Sequence, residues 1–105
     1  MKADDAVRAL AALAQEHRLK VFRLLVREGA EGLAAGVIAD RLGIGSTALS
    51  FHLKELQRVG LVSSRREGRY IRYCLACDAM KELLDYLARD CCQGRADLCP
   101  SSCCG

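Results

Sequence analysis

Polar and apolar positions alternate along this chain with two different periods, and the change from one to the other divides it. In "DDAVRALAALAQ" Val7, Leu10 and Leu13 recur on one helical face behind Asp4 and Asp5, whose charges favour a helix N-terminus. A second helix is predicted in "EHRLKVFRLLVREG", with Leu19, Phe22, Leu25 and Val26 as its stripe and Gly29 as its stop. "LAAGVIADRLG" reads as a short helix through Val37, Ile38 and Leu42, closed by Gly43. The turn "IGS" follows, with Ser46 as N-cap of "TALSFHLKELQRVG".

That fourth helix carries two distinct faces. Leu49, Leu53 and Leu56 recur at core spacing, whereas Thr47, Ser50, Phe51, Lys54 and Arg58 share a polar, basic face. A short helix, a glycine-containing turn and a helix of this kind describe a helix-turn-helix, whose second helix can enter a major groove. After Gly60 the period becomes two. "LVSSR" and "RYIRYCL" predict a β-hairpin around Glu67-Gly68, with Arg65, Arg66, Arg69 and Arg72 in or beside its tip. Asp78 then caps a last helix, "AMKELLDYLARDCC", whose stripe of Met80, Leu83, Leu84, Leu87 and Cys91 is long enough to serve a second subunit, and Gly94 ends it. The fold class expected is mainly α with a β-hairpin wing, a winged helix-turn-helix. Residues 1–92 would form the DNA-binding and dimerisation domain and residues 93–105 a cysteine-rich tail.

The charge distribution sharpens this picture. The net charge is +3, but residues 46–73 alone carry +4, against +1 before them and −2 after them. A local basic face suits an anionic partner better than a generally basic surface would. The 105 residues fit one domain. No apolar signal segment opens the chain and no apolar run could cross a bilayer, so a cytoplasmic protein with no membrane association is expected. There thiols stay reduced, and the seven cysteines, an odd number, point to metal ligands or redox sensing ahead of structural disulfides. With histidines far apart in the sequence, no nucleophile–base pair and no phosphate-cradling loop, an enzyme with a catalytic cofactor is not expected.

The run "STALSFHLKELQRVGLVSSRREGRYIRYCL" resembles the DNA-binding helix and wing of the ArsR/SmtB family of winged-helix metalloregulatory repressors. The upstream "LAQEHRLKVFRLL" is similar to that family's second helix, so the likeness covers roughly residues 5–90. It implies a homodimer, paired through its first and last helices, that represses a metalloid-resistance operon until a metal or metalloid binds. The cysteine-rich motif of some arsenic sensors is missing from "LAAGVIADRL", and the last helix lacks the histidines of the zinc sensors. Cys91, Cys92 and Cys99, however, match the arrangement in other arsenic sensors, where two adjacent cysteines end the last helix and a third follows on a loop.

Three thiolates in a pyramid suit As(III) or Sb(III), soft centres that hard oxygen ligands would not select. Adjacent cysteines on a regular helix diverge by about 100°, so Cys91 and Cys92 converge only where the helix frays, and "QGRADL" can return Cys99 to them at small entropic cost. Cys103 and Cys104 are additional candidate ligands. "CLAC" at Cys74 and Cys77 has metal-like spacing but no second pair in register. His17 reads as solvated, while for His52 packing and a backbone-phosphate contact are equally open. The DNA-binding candidates are Thr47, Ser50, Phe51, His52 and Lys54 on the helix and Arg65, Arg66 and Arg69 on the wing, with double-stranded operator DNA as partner. Two alternatives remain at this stage: the same DNA-binding domain with its cysteines sensing oxidants or persulfide, and a small zinc-binding interaction or metal-carrier protein.

Overall fold

The structure, a computed structural model, describes residues 1–89; residues 90–105 lie outside the described residues. Helices α1 (Ala3–Leu13) and α2 (Glu16–Glu28) lead through a 3-10 turn (Gly29–Glu31) to a two-residue strand β1 (Leu33–Ala34). Helices α3 (Ala35–Leu42) and α4 (Ser46–Arg58), strands β2 (Val62–Glu67) and β3 (Tyr70–Leu75) and helix α5 (Cys77–Ala88) complete the order. All three strands form one antiparallel sheet in the order β1-β3-β2. The expected hairpin is present, and β1 adds to it an edge strand, Leu33 opposite Tyr73 and Ala34 opposite Arg72.

The core is built where α2, α3 and α4 meet: Val21, Leu25, Ile38, Leu49, Leu53, Leu56 and Leu61 are fully buried. The leucine face predicted for α4 is the face that packs. Each such side chain contributes roughly 1.5–3 kcal/mol through loss of apolar surface from water. On α1 and α2 the buried face differs from expectation. Helix α1 buries Ala6, Ala9 and Ala12, while Val7 and Leu10 are 64% and 41% exposed. Alanines let α1 approach α2, α4 and α5 closely, so the small side chains pack, Leu13 packs partly against the core as expected, and Val7 and Leu10 face outward. On α2 the buried set is Val21, Phe22, Leu24 and Leu25, and Leu19 is exposed.

The helix ends follow different chemistry from that predicted. Gln15, which accepts a 2.9 Å bond from the Arg18 amide, caps α2. Gly45, not Ser46, precedes α4, and Ala76, not Asp78, precedes α5, with Asp78 in the first turn where its charge still complements the helix dipole. Gly43 ends α3 in the left-handed conformation, and the Ile44 amide donates back to the Ala39 carbonyl oxygen at 3.1 Å. Helix α5 stops at Ala88, before the Gly94 expected to end it, because Arg89 is extended.

The hairpin loop is Gly68-Arg69, one residue later than expected, with Glu67 paired to Tyr70. Its first position has φ +59, which favours glycine in a two-residue loop. Alternation along β2 and β3 does not produce a half-buried sheet. Only the base of the hairpin, from Val62 on one side to Cys74 and Leu75 on the other, is buried, and the distal half from Ser63 to Ile71 stands in solvent.

Candidate nucleic-acid interface

Helix α4 is held from below by its leucines, so its opposite face is presented outward. Thr47, Ser50, Phe51, Lys54 and Arg58 are all exposed on it, with Phe51 55% exposed despite its size. On one flank the amide of Gln57 donates to the Ser64 hydroxyl at 3.0 Å and ties α4 to β2. On the other flank Arg18, from the first turn of α2, lies over the Phe51 ring at 5.5 Å and donates from Nε to His52 Nδ1 at 3.3 Å. The recognition face is therefore set between two supports.

His52 does not share the exposed face. It is 8% exposed, its Nδ1 accepts from Arg18, and its ring meets Phe51 edge-on at 5.9 Å. Of its two open readings this geometry favours packing. The fold also brings together histidines distant in the sequence, His17 and His52, with ring centroids 5.7 Å apart. Among the described residues no group of three His, Cys, Asp or Glu could hold a metal ion.

Burial, then the positive charges of Arg18 and His17, lower the pKa of His52 below its ordinary value of 6.5. Because the folded pKa lies below the unfolded one, the unfolded chain binds the proton more readily, and stability falls as pH drops below about 6.5. Thermal melts between pH 7.5 and 5.5 should show this decline, and His52→Gln, which keeps an acceptor for Arg18 but does not titrate, should flatten it. An equally steep decline in that variant would place the titrating group elsewhere.

The wing arginines separate into roles. Arg72 lies midway along the hairpin, opposite Arg65, donating from Nη1 to the Gly32 and Glu31 carbonyl oxygens at 3.1 and 3.3 Å and from Nε to Glu67 at 3.0 Å. Arg65 also donates to Glu67, at 3.2 Å. The hydrogen bond from Arg72 holds the Glu67 carboxyl below its ordinary pKa, helped by the charges of Arg72 and Arg65. Arg66 and Arg69 are exposed and make no ion pair among the described residues. Arg69→Ala should therefore lower the salt slope of DNA binding by about 0.9, the value of one lost phosphate contact, and Arg65→Ala by less. Equal slopes in wild type and Arg69→Ala, measured by titration across a salt series, would remove the wing tip from the interface.

One functional residue escaped the sequence reading: Arg18 sits in a helix whose periodicity says nothing of α4. The wing pattern includes Arg72 with its neighbours, but nothing in the sequence marks its separate role as a clamp. Only the Gln15–Arg18 cap spacing marks Arg18 as lying at a helix start. Cys74 is buried at the end of β3, where its thiol approaches the Glu31 carbonyl oxygen at 3.9 Å, and Cys77 is exposed at the start of α5. Cys91, Cys92, Cys99, Cys103 and Cys104 lie outside the described residues.

A helix-turn-helix whose second helix presents a polar basic face, followed by an arginine-rich hairpin, defines a winged helix-turn-helix DNA-binding protein. A family model described as "Helix-turn-helix domain" matches residues 13–65. The transcriptional activator HlyU of Vibrio cholerae is 36% identical over 84% of this chain and 79% of its own length. An ArsR-like transcriptional regulator from Rhodococcus superposes with a TM-score of 0.73 at 31% identity, covering 82% of this chain and 78% of that one. A homodimeric winged helix-turn-helix DNA-binding domain from Mycobacterium bovis gives 0.68 at 29% identity, over 89% and 86% of the two chains. The chain belongs to the ArsR/SmtB family of winged-helix transcriptional regulators.

Proposed function

We propose that this chain is a homodimeric repressor of a metalloid-resistance operon, released from operator DNA when As(III) or Sb(III) binds the thiolates of Cys91, Cys92 and Cys99. The observation that carries the DNA-binding part is the outward face of α4, with Thr47, Ser50, Phe51 and Lys54 toward the major groove and Arg65, Arg66 and Arg69 beside it for phosphates. His52 acts from beneath, through Arg18 and Phe51.

Dimerisation is supported by the apolar side chains that the fold leaves outside: Val7 and Leu10 on α1, and Leu84 and Leu87 on α5, which are 56% and 54% exposed. A second copy covering them pairs the first and last helices and sets the spacing of two recognition helices. The tail of residues 93–105 follows α5, so a ligand there acts next to the element that fixes this spacing, and a small change is enough to weaken binding to two half-sites.

The inducer reading rests on five cysteines among the last fifteen residues, a donor set suited to a soft trivalent centre. A structure described as "Possible transcriptional regulator for arsenical resistance" is 25% identical with a TM-score of 0.66 over 75% of this chain, which supports it. A second reading, thiol oxidation, is favoured by the likeness to HlyU, one of whose structures, 34% identical with a TM-score of 0.66, is described as the reduced protein. No helix among the described residues is long and apolar enough to cross a membrane.

The test is to titrate the reduced protein, bound to the DNA upstream of its own gene, with As(III), Sb(III), Zn(II) and peroxide. Release by the first two at stoichiometric concentrations supports the metalloid reading. Release by peroxide alone replaces it with thiol oxidation, and a protein that binds no DNA ends both.

A further inference from the structure

The two flanks of α4 are not alike. With about 100° per residue, Gln57 and Phe51 lie about 120° apart on this helix. Gln57 holds the wing through Ser64, and Phe51 holds the start of α2 through Arg18. The wing flank is basic through Arg65, Arg66 and Arg69. On the opposite flank a cleft of about 380 Å³ opens between α1, α2 and the C-terminal half of α4, lined by Arg8, Arg18, Glu55, Arg58 and small apolar groups.

Three arginines from three helices thus line one cleft against one carboxylate. Glu55 is bound to Arg58 by a hydrogen-bonded pair, and Arg8 is 3.9 Å from Asp5, a separation at which two exposed groups gain little. The lining keeps a net charge of +2. A neighbouring cleft that shares Arg8 and Arg58 is bordered by Asp5 and Glu82, so the excess positive charge is confined to the side next to Phe51. Arg8, with its side chain 70% exposed and only loosely paired to Asp5, is free to turn toward a ligand, whereas Arg58, 74% exposed, must exchange its bond to Glu55 to do so. Arg8 lies about 100° from Val7 and about 160° from Leu10 around α1, away from the apolar face assigned to the second copy.

A helix in the major groove has a phosphate chain on each side, about 12 Å apart. The wing can reach one of them. We propose that the cleft of Arg8, Arg18 and Arg58 is a second phosphate-binding site, which holds the DNA backbone on the strand opposite the one gripped by the wing. Arg8, far from α4 in sequence, thereby becomes part of the interface, and Arg18 links the two functions by orienting Phe51 while facing the same cleft.

The proposal rests on the DNA-binding reading above, and its test separates the two. Binding of the full chain to a random-sequence duplex and to the duplex upstream of its own gene is measured across a salt series for wild type, Arg8→Gln, Arg8→Lys and Arg8→Gln/Arg58→Gln. Arg8→Gln should lower the slope of log K against log salt by about 0.9, the double variant by more than that but by less than about 1.8 because Arg58 is already paired with Glu55, alike on both duplexes, and Arg8→Lys should retain the wild-type slope. Ethylation interference should mark phosphates on both strands, and one group of them should fall silent in Arg8→Gln while the other falls silent in Arg69→Ala. Thermal melting and sedimentation confirm that the variants fold and associate as wild type does. An unchanged slope and map in Arg8→Gln overturn the proposal and leave the DNA-binding reading intact, as does an unchanged map in which inorganic phosphate alone titrates the cleft. A wild-type protein that binds neither duplex ends the DNA-binding reading itself.

Discussion

Truncation after Asp97 is expected to give a protein that folds, dimerises and binds DNA but no longer responds to As(III). The last buried side chain among the described residues is Leu83, and the core and the outward face of α4 are complete within residues 1–89. Removing Cys99, Cys103 and Cys104 leaves every described residue of the core and of that face in the chain. On the proposed site it takes the third thiolate, and two thiolates would not complete a trigonal pyramid around a trivalent centre. Loss of groups that merely orient a metal ligand costs 10–100-fold in affinity, so loss of a ligand should shift the As(III) concentration for release by at least about 100-fold. Cys91→Ser, Cys92→Ser and Cys99→Ser should each do the same, whereas changes at Cys74 or Cys77 should leave release unaltered. Release of the truncated protein at the original concentration would show that Cys91 and Cys92 suffice or that sensing lies elsewhere. A truncated protein unable to dimerise would make the tail structural.

Gly32→Ala is expected to cause the largest loss of stability of any glycine-to-alanine change among the described residues. Gly32 has φ +65 and ψ −163, a region essentially closed to residues with a side chain. A Cβ there would collide with the Tyr73 carbonyl oxygen and approach Cys74 Sγ to 2.7 Å, while the Gly32 carbonyl oxygen accepts from Arg72. The nearer obstacle, the Tyr73 carbonyl, is backbone of β3, the central strand of the sheet, and cannot swing aside. Backbone strain and the clash together should cost about 3 kcal/mol or more, read as a lowered midpoint in urea unfolding. Gly36→Ala is the matching control: it lies in α3 with open space around it and should be neutral or stabilising by up to about 1 kcal/mol. Equal midpoints for the two variants would mean that the β1–β3 junction shifts to admit the methyl group.

The parts of this fold that could be read from the sequence are those in which local contrast and tertiary packing agree. Leu49, Leu53 and Leu56 stand apart from polar neighbours on α4 and are the residues that pack, so the face left for DNA follows directly. The hairpin was legible because a change of period coincides with Gly68, and the local charge of +4 marked the side on which an anion would bind. The proposed inducer site rests on the sequence and on family resemblance, through which Cys91, Cys92 and Cys99 match the arrangement in some arsenic sensors, and it lies outside the described residues.

Elsewhere local contrast points the wrong way. In α1 the larger residues, Val7 and Leu10, look like the core, yet alanines pack because close approach to α2 and α4 rewards small side chains, and that approach exists only in the assembled fold. Strand β1 is two residues long, too short for a period of two to register, and it exists because β3 offers an unpaired edge. Four arginines between positions 65 and 72 read alike, but the carbonyl oxygens of Glu31 and Gly32 single out Arg72 as a clamp. Arg18 and Phe51 are 33 positions apart in the chain, and no periodicity relates them. Sequence by itself thus determined which elements form and which face of α4 is polar, because those depend on neighbours within a few residues. Tertiary structure alone decided which arginines are structural, how the recognition face is braced and where the second basic flank lies, because those depend on groups that only folding brings within hydrogen-bonding distance.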